Sequence, residues 1–153
     1  MTAVEIAEAI EIAATLGRPF EGCYLRPYLC PAGVPTIGVG CTFYPDGRAV
    51  TLKDMPITRE YAHYMHIWMI KNVYMPAVIK LCPRIDTPQR AAALIDFTFN
   101  LGTGRLRSST LRKRVNAGEW DLVPTELRKW TKGGGRVLRG LVARREAECK
   151  LVP

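Results

Sequence analysis

The 153-residue chain is 48% apolar and 24% charged, a balance that excludes a disordered polymer and is enough to bury the core of one compact domain. No stretch reaches 18 consecutive apolar residues, which excludes a membrane-spanning helix. The net charge of +8 is uneven: residues 105–150 carry 13 Lys/Arg against 5 Asp/Glu, while the rest of the chain carries 9 of each. Such a lobe suits an anionic partner (nucleic acid, a membrane surface or an acidic wall polymer) or is a solvated basic face.

In chain order, residues 1–20 hold Glu5, Glu8 and Glu11 and no Lys or Arg before Arg18. A secretory signal needs a basic start and an uninterrupted apolar core, so synthesis and folding in a cytoplasm are expected. Val4, Ile6, Ala7, Ile10, Ala13 and Leu16 share one side at helical spacing. The spacing predicts a helix over residues 1–17, stopped by Gly17 with Pro19 following.

Residues 18–57 change character. Pro27, Pro31, Gly33, Pro35, Gly38, Gly40, Pro45, Asp46-Gly47 and Pro56 punctuate short β-prone pieces. They predict a small antiparallel sheet with a hairpin turn at 44–48. Thr58 reads as an N-cap opening a long helical segment over 58–83, interrupted near Pro76. Tyr61, Met65, Trp68 and Met69 recur along it at helical spacing and read as core and inter-lobe packing. Asp86-Thr87-Pro88 opens the apolar run QRAAALIDFTFNL, a central buried helix ended by Gly102 and Gly104. Short helices are expected around 109–116, 119–130 and 137–150, divided by Gly118 and Gly133–Gly135. Trp120 and Trp130 read as core. The result is an α+β chain with segregated elements: a helix, a β-lobe, a linking helical segment, and a basic helical lobe over 84–153.

Five cysteines (23, 30, 41, 82 and 149) cannot all pair, and a reducing compartment leaves thiols free. Their spacings contain no CxxC, and no HExxH is present, so no metal and no cofactor is expected. Glu21 stands between Phe20 and Gly22 with no partner in the local sequence. A carboxyl in apolar surroundings at a cleft can hold a proton near neutrality and act as a general acid. Cys30 is, on these grounds, a packing residue, a metal ligand or part of an active site.

Spacing separates these readings. Glu21, Cys30 and Thr36 fit E-x8-C-x5-T, followed by the T-I-G-x-G of 36–40. This pattern resembles the phage-type lysozymes of glycoside hydrolase family 24, which read E-x8-(D or C)-x5-T across the same region. FNLGTGRLRSSTLRKRVNAGEWD (99–121) and WTKGGGRVLRGLVARREAECKLV (130–152) are similar to the C-terminal lobe of phage endolysins in that family. The resemblance implies one lysozyme-like domain, with the cleft between a small β-lobe and a larger helical lobe joined by a long helix. It implies hydrolysis of the β-1,4 bond between N-acetylmuramic acid and N-acetylglucosamine in peptidoglycan. Glu21 matches the acid that protonates the leaving sugar oxygen, Thr36 the hydroxyl that holds the attacking water, and Cys30 the second catalytic position. Asn100 matches a polar position that faces the cleft in relatives; locally it also reads as a helix C-terminal residue bonding to backbone.

A thiol has an ordinary pKa of about 8.5, and a nearby carboxylate is expected to push that of Cys30 higher. Cys30 is therefore expected to position water with Thr36, or to lose its proton only as the reaction proceeds. The usual T-I-G-Y-G-H-T turn appears with Val39 and Cys41 in place of the aromatic and the histidine. Cys23 and Cys41 flank the site, where a disulfide is conceivable.

Arg105, Arg107, Arg112, Lys113, Arg114, Arg136, Arg139, Arg144 and Arg145 predict a cationic lobe that draws the protein to an anionic envelope. The expected partners are peptidoglycan glycan strands, with release by a membrane-permeabilising holin, a monomeric state and no nucleic-acid partner. The sequence shows no helix-turn-helix or stacking motif. A catalytically weak, wall-binding lysozyme-like protein is the alternative, left open by Cys30. Nothing local supports a cysteine hydrolase using His63 or His66.

Overall fold

A computed structural model describes all 153 residues. The segregated α+β architecture expected from the sequence is what forms. Helix α1 (Ala3–Glu21) leads into the strands β1 (Tyr24–Leu29) and β2 (Pro35–Gly38), followed by irregular turns. Helices α2 (Arg59–Met69) and α3 (Met75–Leu81) come next, then α4 (Pro88–Leu101), α5 (Thr103–Ser108), α6 (Thr110–Ala117) and α7 (Val123–Leu127). The C-terminal lobe is not all-helical as expected: a two-residue-per-strand hairpin around Gly134-Gly135, β3 (Lys132–Gly133) and β4 (Arg136–Val137), precedes the last helix, α8 (Arg139–Cys149).

Local chemistry starts the helices. Thr2 caps α1 through a reciprocal pair with Glu5, whose backbone N–H donates to the Thr2 hydroxyl at 3.2 Å while its carboxylate accepts from the Thr2 N–H at 2.6 Å. Thr58 and Thr87 accept from the N–H groups of Tyr61 and Arg90, and Ser109 caps α6 in the same way. Between α2 and α3 the chain makes a five-residue π turn, Ile70–Tyr74. The Met75 N–H reaches back to Ile70 O and Pro76, which has no N–H, follows as an early residue of α3.

Strands β1 and β2 pair antiparallel with Tyr28 opposite Thr36 and Leu29 opposite Pro35. The turn at 44–48 forms as expected, with the Tyr44 N–H donating to Arg48 O and the Gly47 N–H to Tyr44 O. Two apolar clusters result. The small one gathers Ile37, Cys41, Tyr44, Val50, Met65 and Met69. The large one is built on α4, where residues 91–98 are all buried, and takes in Ala9, Ala13 and Ala14 of α1. Helix α2 places Met65 and Met69 in the small cluster; Ile70, Met75 and Val78 belong to the large one, so the helical segment ties the two together. Tyr61 and Tyr64 lie exposed on its outer side, against the expectation that Tyr61 is core.

Helix α1 does not stop at Gly17. It runs four residues further, through Pro19, and ends at Glu21, where Gly22 (φ +70°) donates its N–H to Arg18 O. Gly17 is buried against α4 and α8. A Cβ there would lie 3.0 Å from Asp96 Oδ1, 3.6 Å from Arg144 Nη2 and 3.7 Å from His66 Nε2. The glycine serves close packing rather than helix termination. The extra turn delivers Glu21 to the junction of α1 and the sheet. Gly17→Leu is expected to destabilise the fold by about 1–3 kcal/mol through overpacking, measured as a lower urea midpoint with unchanged m-value.

Candidate active site

The last residue of α1, the β1–β2 hairpin, the end of α4 and the start of α8 enclose a cleft of about 700 Å³. Glu21, Cys30, Thr36 and Asn100 all line it, so the four residues singled out from the sequence meet at one site. Tyr24, Tyr28 and Phe99 add aromatic wall, with the Tyr24 and Tyr28 rings 4.4 Å apart.

Cys30 follows β1 and begins the hairpin turn. Its N–H donates to Val34 O at 3.0 Å and its carbonyl accepts from the Gly33 N–H at 2.8 Å. Thr36 is almost fully buried, and its hydroxyl donates to Val34 O at 2.9 Å. Burial opposes ionisation of the Cys30 thiol. The polar surroundings of the turn, the backbone at Val34, Ala32 and Gly33 with the Thr36 side chain, outweigh it, so the pKa is lowered. This corrects the expectation of a raised thiol: the polar backbone of a tight turn surrounds the sulfur.

Glu21 differs from expectation too. It is not an unpaired acid in an apolar pocket. Arg144 Nη1 donates to Glu21 Oε1 at 2.5 Å, from a side chain 123 residues away on α8. Arg144 also clamps Asp96 of α4 with two bonds of 2.8 Å, Nε to Oδ2 and Nη2 to Oδ1. Burial works against the Arg144 charge, but the two carboxylates more than offset it and raise its pKa. Oε2 of Glu21 packs over Gly40, where a Cβ would lie 2.6 Å from the oxygen. With φ +66°, Gly40 is needed both for its backbone and for the space it leaves. Sequence reasoning kept Gly40 as a turn residue and missed Arg144 and Asp96. The RR pair of α8 was counted as surface charge, and nothing local in the sequence marks it as buried.

Val39 and Cys41, the departures in the turn, are buried and apolar in role. Burial, with the charge of Glu21, pushes the Cys41 thiol up to about 12, so it stays neutral. All five cysteines are free thiols, Cys23 and Cys41 included. Asn100 Oδ1 accepts from Arg145 Nη2 at 2.9 Å rather than from local backbone, leaving its NH₂ as a donor for the cleft.

The cationic lobe is smaller than its residue count. Arg144 and Arg145 are buried, and Arg114 is paired with Glu119 at 2.7 Å. Arg112 donates to the carbonyls of Leu81 and Arg107. Arg105, Arg107, Lys113, Lys132, Arg136, Arg139 and Lys150 remain exposed and outside any ion pair. No group of three His, Cys, Asp or Glu side chains is placed to hold a metal ion.

A cleft between a small two-stranded sheet and a helical body is the architecture of a lysozyme-like protein. The family described as Phage lysozyme matches residues 18–148. An endolysin from Escherichia coli O157:H7 phage FAHEc1 has the same fold, with a TM-score of 0.78 at 29% identity over 95% of this chain and 90% of that one. The SAR-endolysin of Enterobacteria phage PA-2 is 38% identical over 149 residues, 95% of this chain and 85% of that protein. An endolysin of Bacillus phage B103 is 43% identical over 78 residues, 51% of this chain, and the match spans 30% of that longer protein. The chain belongs to the phage lysozyme family.

Two predictions test this geometry. Gly40→Ala should displace the Glu21 carboxylate and lower wall hydrolysis at least tenfold, by roughly 1.4 kcal/mol or more of barrier, with a folded circular-dichroism spectrum. His66, buried beside Gly17, has its pKa depressed to about 4 by burial and then by Arg18. The unfolded chain therefore takes up a proton near pH 6.5 that the folded chain refuses, and stability falls as pH drops from about 6.5 to about 4, by up to roughly 3 kcal/mol. Denaturation of His66→Gln across that window should show a flatter pH dependence than wild type.

Proposed function

We propose that the chain is a phage endolysin of the muramidase type, hydrolysing the β-1,4 bond between N-acetylmuramic acid and N-acetylglucosamine in peptidoglycan. What supports the reading is the convergence of Glu21, Cys30 and Thr36 on one cleft, in a chain whose family is that of the phage lysozymes. In this reading Glu21 donates a proton to the leaving glycosidic oxygen as the bond to the anomeric carbon breaks. Thr36 and Cys30 hold the water that adds to that carbon, and the thiolate form of Cys30 accepts the proton that the water loses. Asn100 offers its NH₂ to an acceptor oxygen of the sugar. The alternative of a wall-binding protein without activity is not favoured by the family match.

The exposed cations of the helical lobe would draw the enzyme to the anionic envelope, with attraction that fades as salt rises. The monomer would be made in the host cytoplasm and reach the wall once a holin has opened the membrane. No helix of the protein is long and apolar enough to cross a membrane.

Turbidity of outer-membrane-stripped Gram-negative walls, with reducing ends counted in parallel, tests the assignment. Wild type should clear walls and release reducing ends, and Glu21→Gln should lose at least about a hundredfold in rate, the usual scale of a missing general acid. Cys30→Asp should keep much of the activity and Cys30→Ala should lose most of it. Full turnover by Cys30→Ala would remove the thiol from the mechanism; folded wild type that sediments with walls without cutting them would make the protein a binding module.

A further inference from the structure

The ion pair at Glu21 is one end of a longer chain of contacts. Arg144 joins Glu21 to Asp96, and Arg145 Nη2 donates to Glu148 Oε1 at 2.7 Å and to Asn100 Oδ1 at 2.9 Å. Asp96 is 2% exposed, and Arg145 and Glu148 are fully buried. Glu148 Oε2 receives no hydrogen bond from any donor, although the side chain has no contact with solvent. Its neighbours are the Asp96 carboxylate and the guanidinium groups of Arg144 and Arg145. An ionised carboxylate buried with one oxygen bare, facing a second carboxylate, is strongly unfavourable. A neutral acid removes the conflict, because its O–H can donate to Asp96 while the other oxygen accepts from Arg145.

We propose that Glu148 is a neutral carboxylic acid whose proton bridges to Asp96, and that it acts as the positioning residue that holds both polar arms of the cleft, Glu21 through Asp96 and Arg144, and Asn100 through Arg145. The inference rests on the muramidase reading of the cleft. Burial is the first cause that raises the Glu148 pKa well above the usual carboxylate range, and the nearby Asp96 adds to it. With Glu148 neutral, the buried group of Arg144, Arg145 and Asp96 carries one net positive charge. The carboxylate that Glu21 becomes once its proton has gone to the sugar is the counterion of that charge, so the network stabilises it. His66 also feels the charges of Asp96 and Arg144, with Arg18 and His63 beyond it, and the buried Cys149 thiol beside Glu148 feels the charges of Glu148 and Arg145.

Two substitutions and one spectrum test this on the full chain. Glu148→Gln keeps a neutral donor and acceptor in the same shape. It should retain wall hydrolysis within about twofold of wild type, with the same pH–rate profile. Glu148→Ala leaves Asp96 and Arg145 without their partner, and should slow hydrolysis at least about tenfold and move the pH profile. The infrared difference between wild type and Glu148→Gln at neutral pH should show the C=O stretch of a protonated carboxylic acid, lost in the variant. The absence of that band, or Glu148→Gln as slow as Glu148→Ala, overturns the proposal. If the alanine variant does not fold, the glutamine variant and the spectrum decide. Wall that stays intact with wild type would overturn the muramidase reading instead, and the infrared band would still report on Glu148.

Discussion

A single guanidinium organises this protein. Arg144 is almost fully buried, and it survives there because Asp96 meets it in a two-pronged bond and Glu21 takes its third donor. Arg geometry suits this role, since its planar fork can serve two carboxylates at once. Three helices meet at the contact: the end of α1 supplies Glu21, α4 supplies Asp96 and α8 supplies the arginine. The close approach of α1 needs Gly17, and the seating of Glu21 needs Gly40. Two glycines and one doubly paired arginine thus set where the acid points.

The cleft follows from that arrangement. The β1–β2 hairpin is short, and its own apolar cluster is small. It gains rigidity from Ile37, Met65 and Met69, which fasten it to α2. The large cluster on α4 then fixes α1 and α8 relative to each other. The acid therefore comes from the rigid helical body and the thiol and hydroxyl from the hairpin opposite. A cleft assembled from rigid elements holds reacting groups in place before substrate arrives, which is where much of a hydrolase's advantage lies.

Local features were legible in the sequence, and distant ones were not. Thr58 and Thr87 announced their helices because an N-cap is a three-residue interaction. The hairpin spacing that brings Cys30 and Thr36 to one site is equally local. Gly17 was misread because a glycine that stops a helix and one that lets another chain come close look alike in one dimension. Arg144 and Arg145 read as two more charges on a basic lobe, since their partners lie 123 and 45 residues away. The direction of the Cys30 pKa was missed for a related reason: the decisive groups are mostly backbone, which no residue name records.

The most direct test separates the structural and the catalytic demands on Arg144. Arg144→Leu alone should cost about 3–5 kcal/mol, because it strands a buried carboxylate at Asp96. Adding Asp96→Leu removes that stranded charge. Urea denaturation and reducing-end release should be measured on wild type, both single variants and the double. The account predicts that the double variant recovers a large part of the lost stability while its hydrolysis stays at least about tenfold below wild type, because Glu21 has lost its anchor. Hydrolysis that returns in step with stability would contradict it, and would reduce Arg144 to a packing residue with no hold on the acid.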